Sequence, residues 1–244
     1  MTTAQQHNLA LYITGAHECG YFDDRQSVNL IPDPQIPMNP HLYSLLVAKG
    51  FRRSGNFVYR PHCDGCQACD ACRIDAHAFK MSRNQRRCLK RNRDTQVYLV
   101  NAAYKDEYFE LYQRYINSRH ADGCMADPTA DEFKQFLLCD WNEAIFIETR
   151  LHGKLLCVAV VDCLQDGYSA MYSFFDPAEK SRSLGTLAIL QQIWLAQVYQ
   201  LPYVYLGYWI ERHPKMDYKK NFHTLQLFRQ EQWQTLKLCS MPAS

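Results

Sequence analysis

The sequence predicts an α+β fold, and three observations lead to it. Apolar residues alternate with polar ones in some segments and recur every three or four positions in others, so both strands and helices are expected. Hydrophobic residues make up 47% and charged residues 21% of the chain, which is typical of a globular protein. A chain of 244 residues can bury a sizeable core in one large domain or two modest ones.

The first 95 residues are expected to form a small, cysteine-containing N-terminal domain. Two short strands, a proline-rich linker, a helix ended by Gly50 and a hairpin around Gly55 come first. A cysteine-rich segment follows, and Ser82 can then cap a helix over residues 83–93. The segments before the cysteines are, in order, LALYI, SVNLI, PDPQIPMNP, HLYSLLVAKG and FRRSGNFVYRP.

Residues 96–244 are expected to form a larger domain. A strand and two helices, the second capped by Thr129 with Glu132, precede two or three antiparallel strands, a long helix, a strand, a shorter helix and a last strand. Residues at helical spacing should form the buried face of the long helix: Leu187, Leu190, Ile193 and Trp194. This order matches an acetyltransferase-like mixed sheet, splayed in the middle where an activated acyl donor is held. Fold alone does not fix the chemistry.

Four cysteines at three-residue spacing form the first chemical signal: Cys63, Cys66, Cys69 and Cys72. Paired Cys-x2-Cys units are typical zinc ligands, and three successive steps are also typical of an iron–sulfur cluster. Cys19, in a turn of its own, is the best candidate for a remote ligand. A cysteine-rich turn without metal is the alternative.

The other cysteines bear on the cellular compartment. The total of eleven is odd and most spacings are irregular, which favours free thiols in a reducing cytoplasm over a disulfide scaffold. The segment MTTAQQHNLALYITGAHEC lacks a basic start and a long apolar run, so no secretory leader is expected. No segment approaches the roughly 20 apolar residues of a membrane span, so no membrane partner is expected either.

The second signal is a run of cations on the predicted helix after the cysteines. Five of them fall at helical spacing along one face: Arg83, Arg86, Arg87, Lys90 and Arg91. No acidic residue lies between Asp75 and Asp94 to pair with them. A solvated face is the alternative, but mutual repulsion along one side favours a bound polyanion such as RNA, gripped by its backbone.

Further candidates lie in the C-terminal half. Asp162 ends an otherwise apolar strand, where it either forms a turn or points into a cleft of the sheet. The turn over residues 182–186 could offer amides to a phosphate, or Ser183 could simply cap the following helix. Aromatic and basic residues over 205–219 are either ordinary core or a pocket for an anionic group. His120 ends a helix, where a capping interaction is favoured over a general base.

Taken together, these segments resemble the arginyl-transferase family, and most closely its bacterial leucyltransferase branch. The matching pieces cover nearly the whole chain in order: His17-Glu18-Cys19, YRPHCDGCQAC, Arg73-Ile74, SRNQRRCLKRN, LYQRYINSRH, VVD, SAMYSFFDP, RSLGTLAILQQI, YLGYWI and MDYKKNF. Eukaryotic members bind a metal or iron–sulfur cluster through cysteines. Phe22 and Asp64 stand where those members have further cysteines.

The resemblance implies an aminoacyltransferase that moves leucine from leucyl-tRNA to the α-amine of proteins beginning with Asp or Glu, and so marks them for degradation by the N-degron pathway. The aminoacyl ester takes the place of acetyl-coenzyme A, so no coenzyme A is expected. No cofactor is required for the chemistry, and a structural zinc or iron–sulfur cluster is a candidate at Cys19, Cys63, Cys66 and Cys69.

The reaction suggests roles for individual residues. Asp162 and Tyr208 are predicted near the reacting centre, with Tyr218 as a second proton relay. The carboxylate of the acceptor needs a fixed cation, for which the candidates are Arg60, Arg83 and Lys219. The grip on the acceptor arm of the tRNA is predicted to come from Arg86, Arg87, Lys90 and Arg91.

Three other functions stay open at this point. The transferred residue could be arginine, as in the eukaryotic members. The sheet could serve a small-molecule acetyltransferase. The chain could also be a non-catalytic zinc-knuckle RNA-binding protein, although the larger domain would then have no assigned role.

Overall fold

A computed structural model describes residues 9–119 and 127–236. In chain order the strands are β1 (Leu11–Ile13), β2 (His17–Glu18), β3 (Gln26–Ser27), β4 (Asn29–Pro32), β5 (Arg52–Ser54), β6 (Phe57–Pro61), β7 (Asp70–Asp75), β8 (Gln96–Asn101), β9 (Ala144–Leu151), β10 (Lys154–Leu164), β11 (Gly167–Phe175), β12 (Tyr203–Trp209), β13 (Leu225–Arg229) and β14 (Gln232–Thr235). The α-helices are α1 (Pro40–Ala48), α2 (Arg83–Arg91), α3 (Asp106–Arg119), α4 (Ala130–Leu137) and α5 (Leu184–Val198). Short 3-10 helices span Lys180–Arg182 and Asp217–Asn221.

The molecule is organised on an eight-stranded mixed sheet of order β14-β13-β7-β12-β11-β10-β9-β8. β11 and β12 run parallel but pair over only three residues, from Gly167 with Tyr203 to Ser169 with Tyr205. β11 continues to Phe175 and β12 to Trp209 without further pairing to each other, so a gap opens toward their C-terminal ends. The predicted α+β class with a mixed, splayed sheet is confirmed.

The large sheet draws strands from both halves of the sequence. β7 lies between β12 and β13, although it precedes the expected boundary between residues 95 and 96. That boundary therefore does not coincide with an edge of the sheet, and the division into domains 1–95 and 96–244 stays a prediction. β1, β4, β6 and β5 form a separate four-stranded sheet.

Two apolar layers cover the large sheet. Alternate residues of β10 explain why: Ala159 and Val161 pack in the layer that contains α5, whereas Val158 and Val160 pack in the layer that contains α3 and α4. A strand buried on both faces reads as a continuous apolar run, as CVAVV does here. The middle of the sheet is thus held rigidly between helices, and the gap lies inside that frame.

The ends of several helices follow from local chemistry. Ser82 with Gln85, and Thr129 with Glu132, form capping boxes at the starts of α2 and α4, as the sequence predicts. α2 ends at Arg91, two residues before the predicted end. The predicted last strand is instead a hairpin, because Gln230 and Glu231 adopt positive φ and turn β13 into β14.

One predicted core residue lies at the surface. Leu187, Leu190 and Ile193 of α5 are buried, but Trp194 is 62% exposed, so that part of the prediction is wrong. Trp194 lies one turn before Val198, which is 53% exposed, while Ile193, Leu195 and Ala196 are buried. The side of α5 that carries Trp194 and Val198 therefore faces solvent in the last turns of the helix.

Among the described residues, no helix is both long enough and apolar enough to cross a membrane.

Candidate active site

The gap between β11 and β12 has an irregular wall on the β12 side. The pairing of β12 with β7 shifts register between Tyr205 and Tyr208, and Gly207 in this bulge has a φ of +70°. Residues other than glycine rarely adopt this backbone conformation, so the glycine at position 207 permits the bulge. At this bulge the carbonyl groups of Leu206 and Tyr208 accept hydrogen bonds from a side chain.

Lys219 satisfies those carbonyl groups. Its ammonium donates to the oxygen of Leu206 at 2.9 Å and to that of Tyr208, and its side chain is buried. Burial lowers the pKa of Lys219 from 10.5, and the nearby Arg52 charge acts in the same direction. Lys219 therefore lies beside the gap, as a substrate-binding residue should, but two of its donors already hold the strand. Its role in binding a carboxylate stays a prediction.

Tyr208 lies where the gap meets a large cavity. Its hydroxyl donates to the carbonyl oxygens of Gly50 and Tyr59, both at 3.1 Å. Because the side chain is almost completely buried, its pKa is raised well above 10. A neutral phenol whose proton is shared between main-chain carbonyls can still accept a hydrogen bond from a bound group, so the predicted catalytic role stays open.

Tyr218 is the more accessible of the predicted phenols. It is 44% exposed, and the burial of the rest of the side chain raises its pKa to about 12, while the charges of Arg119 and Arg52 act in the opposite direction. Its hydroxyl has no hydrogen-bond partner among the residues the structure describes. At neutral pH Tyr218 is therefore a protonated phenol with a free donor.

Asp162 lies in different surroundings. Its carboxylate is completely buried, accepts from Arg53 at 2.6 to 2.9 Å and accepts from the Tyr43 hydroxyl at 2.9 Å. Arg53 also donates to the carbonyls of Gly55 and Leu137. These contacts tie β10 to β5 and α1, and Asp162 does not line the cavity. Its assignment to catalysis stays a prediction, and its contacts favour a supporting role.

Arg52 was not selected by sequence reasoning, yet it occupies the gap. Its Nη2 donates to the carbonyl oxygen of Met171 on β11 at 3.4 Å, and its guanidinium carbon lies 5.9 Å from the centre of the Tyr208 ring. A Cβ atom placed on Gly207 would lie 3.0 Å from its Nη1. The signal that could have found it is the predicted hairpin, because successive residues of a strand point to opposite sides.

A cavity of about 1090 Å³ adjoins the gap. Tyr21, Tyr59 and Tyr208 line it on the side nearest Arg52, and the cysteine segment lines another side. Arg60 also lines it, but its guanidinium is bound to Glu231 at 3.2 Å and to the carbonyl of Lys49 at 2.8 Å. Arg60 is thus already paired in this state, and its predicted role with substrate stays open.

Four predicted metal ligands lie around the same cavity: Cys19, Cys63, Cys66 and Cys69. The Cys63 thiol contacts the main chain of Val28, and the Cys66 sulfur accepts from Arg25 at 3.5 Å. Burial and the neighbouring thiols raise the pKa of Cys69 to about 12. Cys72 is buried in the core from β7.

The thiols share a cavity but do not converge. Among residues 9–119 and 127–236, no three histidine, cysteine, aspartate or glutamate side chains are grouped to hold a metal ion. The arrangement shown here therefore does not fit a metal or cluster, and the metal assignment stays a prediction.

The cationic helix α2 lies at the open end of the gap. Gln85 donates to the carbonyl of Asn221 in the segment after β12, and Asn92 donates to that of Arg182 in the segment after β11. α2 therefore bridges the two segments into which the gap opens. The predicted cations Arg83, Arg86, Arg87, Lys90 and Arg91 are all exposed.

None of these five cations pairs with a carboxylate of the described residues. Arg86 and Arg91 donate to the carbonyls of Met81 and Ser181 instead. At the start of α5, Ser183 adopts a φ of 55° and makes no side-chain cap, so capping does not explain this turn. His120 lies outside the described residues.

The chain matches the models of a known protein family. Residues 17–87 match the model of the arginine-tRNA-protein transferase N terminus, and residues 107–229 match that of its C terminus. Proteins named aspartate/glutamate leucyltransferase are similar over most of the chain. That of Hahella chejuensis is 47% identical over 93% of this chain and 97% of its own. That of Stenotrophomonas maltophilia K279a is 49% identical over 92% of each chain.

Solved structures share less. The C-terminal domain of a putative lysylphosphatidylglycerol synthetase from Agrobacterium fabrum aligns with a TM-score of 0.45 at 13% identity, over 59% of this chain and 47% of that one. L-PGS from Bacillus licheniformis aligns with a TM-score of 0.48 at 8% identity, over 63% and 49%.

Proposed function

The chain belongs to the arginine-tRNA-protein transferase family, and on that premise we propose that it transfers leucine from leucyl-tRNA to proteins that begin with Asp or Glu. It is an aminoacyltransferase, and a tRNA and a protein are its substrates. The observation that carries the choice of leucine is the 47–49% identity, over nearly the whole chain, to proteins named for leucine transfer. A leucine added to the N terminus marks the product for degradation by the N-degron pathway.

The reaction is the aminolysis of an ester. The α-amine of the acceptor attacks the leucyl carbonyl carbon, an amide bond forms, and the bond to the 3′ oxygen of the tRNA breaks. The amine gives up a proton and the leaving 3′ oxygen takes one. An α-amine has a pKa of roughly 7.7–8.0, so a useful fraction is neutral at pH 7 and little help from a base is needed. The main task of the enzyme is to hold the two substrates in line.

The tRNA docks on the exposed face of α2. Arg86, Arg87, Lys90 and Arg91 contact the phosphates of the acceptor arm, and Arg83 extends this face toward the start of the helix. These cations lack carboxylate partners among the described residues, and a polyanion relieves their mutual repulsion. Because α2 bridges the segments after β11 and β12, a tRNA on this face directs its 3′ end toward the gap.

Proton transfer is served by Tyr218 in this proposal. Its raised pKa keeps the phenol protonated at neutral pH, so it can donate to the 3′ oxygen as that oxygen leaves and then take up the proton that the amine gives up. Tyr208 is the second phenol at the gap and positions the reacting groups through its bonds to Gly50 and Tyr59. Asp162 supports the site from behind through Arg53 and Tyr43.

No cofactor takes part in the proposed chemistry. The thiols of the cysteine segment serve the shape of the cavity, and no step of the transfer passes through a metal. The compartment that follows from the substrate is the cytoplasm, because charged tRNA is consumed where protein is made.

A transfer assay tests the function directly. Leucyl-tRNA and arginyl-tRNA are each offered with peptides that begin with Asp, Glu or Ala and are otherwise identical. We expect leucine on the Asp and Glu peptides, with little on the Ala peptide and little arginine on any. Arginine transfer at an equal rate would contradict the assignment of leucyl-tRNA as the specific donor. Tight tRNA binding with no transfer at all would favour an RNA-binding protein.

A further inference from the structure

Arg52 lies at the point where β11 and β12 separate. β5, a strand of the four-stranded sheet, carries Arg52, and the half-buried guanidinium lies between Met171 of β11 and Gly207 of β12. A methyl group on Gly207 would approach Nη1 to 3.0 Å, so the glycine leaves the room that the guanidinium occupies. The guanidinium carbon lies 5.9 Å from the centre of the Tyr208 ring, and Tyr21 and Tyr59 are near enough to act electrostatically on the charge.

The charge of Arg52 is not compensated within the described part of the chain. Three other arginines near the gap and cavity have a carboxylate: Arg53 has Asp162, Arg60 has Glu231 and Arg229 has Asp70. Within residues 9–119 and 127–236, the hydrogen-bond partner of Arg52 is the carbonyl of Met171, at a long 3.4 Å. Lys219 adds a second, buried positive charge close by, and it too has no carboxylate partner in these residues.

A partly buried cation without a counter-ion destabilises the protein unless an anion binds to it. A cation withdrawn from water loses solvation, and one weak hydrogen bond recovers little of that loss. Of the five N–H donors of the Arg52 guanidinium, four have no acceptor among the described residues. The guanidinium lies at the gap beside the ring of Tyr208, and its unused donors indicate that an anionic group completes the site when substrate is bound.

We propose that Arg52 is the residue that recognises the side-chain carboxylate of the acceptor's N-terminal Asp or Glu. This inference rests on the proposed function. A guanidinium offers two parallel donors that match the two oxygens of a carboxylate, and a fixed distance from that pair sets the α-amine beside the ester.

The other anions of the reaction suit Arg52 less well. The phosphates of the tRNA have five exposed cations on α2 at the mouth of the gap. The leucyl side chain is apolar and gains nothing from a cation. The carboxylate at the end of an Asp or Glu side chain is small enough to enter between β11 and β12. A phosphodiester is part of a continuous chain, which would have to pass through the gap.

The test compares Arg52→Gln and Arg52→Lys with the wild type, using leucyl-tRNA and peptides that begin with Asp, Glu or Asn. In Arg52→Gln we expect kcat/KM for the Asp and Glu peptides to fall roughly a hundredfold, mainly through KM. The ratio of Asp to Asn transfer should fall with it, and the Kd for leucyl-tRNA should stay within about twofold. Arg52→Lys keeps the charge but loses the paired donors, so its ratio should lie between the other two.

An unchanged Asp-to-Asn ratio in a folded Arg52→Gln protein would overturn the inference while leaving leucine transfer intact. A wild type that moves no leucine to any peptide would overturn the proposed function and the inference with it. Equal losses on all peptides, together with weaker tRNA binding, would assign Arg52 to the tRNA instead.

A measurement on the wild type covers the case in which the variants do not fold. Arginines are modified with 2,3-butanedione, and the sites are mapped by mass spectrometry with and without saturating Asp peptide. We expect the Asp peptide, but not the Asn peptide, to protect Arg52, while the fully buried Arg53 stays unmodified throughout. Equal modification in all samples, or an Arg52 that never reacts, would overturn the proposal.

Discussion

Two neighbouring arginines of β5 lie in opposite surroundings. Arg53 is 1% exposed and donates to a carboxylate and two carbonyls, so its charge is neutralised and its donors are used. Arg52, one residue earlier, points to the other side of the strand and has one long hydrogen bond to a carbonyl. The same side chain on the same strand thus serves two different purposes.

The contrast shows how burial and pairing must be read together. A buried cation with its carboxylate is expensive to disturb but offers nothing to a ligand. A half-buried cation without one is a candidate binding group, because a substrate carboxylate can supply what the protein lacks. The same distinction extends to the phenols, since Tyr43 donates to Asp162 while the Tyr218 hydroxyl has no partner in the described structure.

The largest expected effect lies on the Arg53 side. Asp162→Asn leaves the Arg53 charge buried without its counter-ion, and we expect a loss of about 3–5 kcal/mol in the free energy of unfolding. Arg52→Gln, at the neighbouring position, should cost no more than about 1 kcal/mol, because no ion pair is broken there. Chemical denaturation of the two variants beside the wild type measures both values.

A matched double variant sharpens this test. Replacing both partners, Arg53→Met with Asp162→Asn, should recover part of the stability that Asp162→Asn loses, because no unpaired charge remains. If Asp162→Asn were as stable as the wild type but inactive in transfer, Asp162 would return to the catalytic centre and the contrast between the two arginines would fail.

The phenols give the next effect. Tyr218→Phe removes the proposed proton donor, and we expect transfer to slow roughly 10²-fold with little change in tRNA affinity or in unfolding free energy. Tyr43→Phe is the matched control on the Arg53 side, and it should lose stability rather than kcat. Single-turnover transfer at saturating leucyl-tRNA separates the chemical step from binding. A Tyr218→Phe protein with the wild-type rate would remove this residue as the proton donor.

Elements set by local interactions could be predicted from the sequence, and those set by long-range packing could not. Capping residues and continuous apolar runs act locally, so α2, α4, β9 and β10 follow from the sequence with small errors at their ends. Trp194 could not be placed, because its exposure depends on which side of α5 packs on the core near the end of the helix. The position of β7 inside the C-terminal sheet is a long-range pairing that no local pattern predicts.

The candidate site divides in the same way. The cations of α2 were predicted because helical spacing alone brings them to one face. Arg52 was missed because its importance comes from what lies around it: a strand gap, a glycine bulge and the absence of a carboxylate. Asp162 was selected as the one acid in an apolar strand, and its partner Arg53 lies 109 residues away in the chain. Only the folded structure shows that this pair closes on itself.

The α2 cations form a second group that has no carboxylate partners in the described structure. They are exposed rather than half-buried, so we expect a smaller effect per residue. Arg86→Ala with Arg87→Ala should weaken leucyl-tRNA binding about tenfold and reduce the slope of log K against log salt by roughly 1 to 2. Acceptor KM should not change. The charge-matched control is Lys105→Ala with Lys134→Ala, two exposed cations near α3 and on α4. An unchanged salt slope in the α2 variant, or an equal change in the control, would remove α2 from the tRNA interface.

The smallest expected effect is a pH dependence of the free energy of unfolding, which distinguishes the Arg53–Asp162 pair from the gap around Arg52. Burial, and then the Asp162 charge, raise the pKa of Tyr43 well above 10, so the folded protein keeps a proton that the unfolded chain loses. The stabilisation is therefore complete below pH 10 and is lost as the pH rises above it, at up to about 1.4 kcal/mol per pH unit.

Tyr43→Phe should remove this part of the slope of the unfolding free energy against pH, measured by urea denaturation between pH 9 and 11. Tyr218→Phe should change the slope less, because its side chain is 44% exposed and solvent screens part of its shift. Equal slopes in the two variants would show that the Asp162 side is no more closed to water than the gap, and the distinction between a sealed ion pair and an open binding site would be lost.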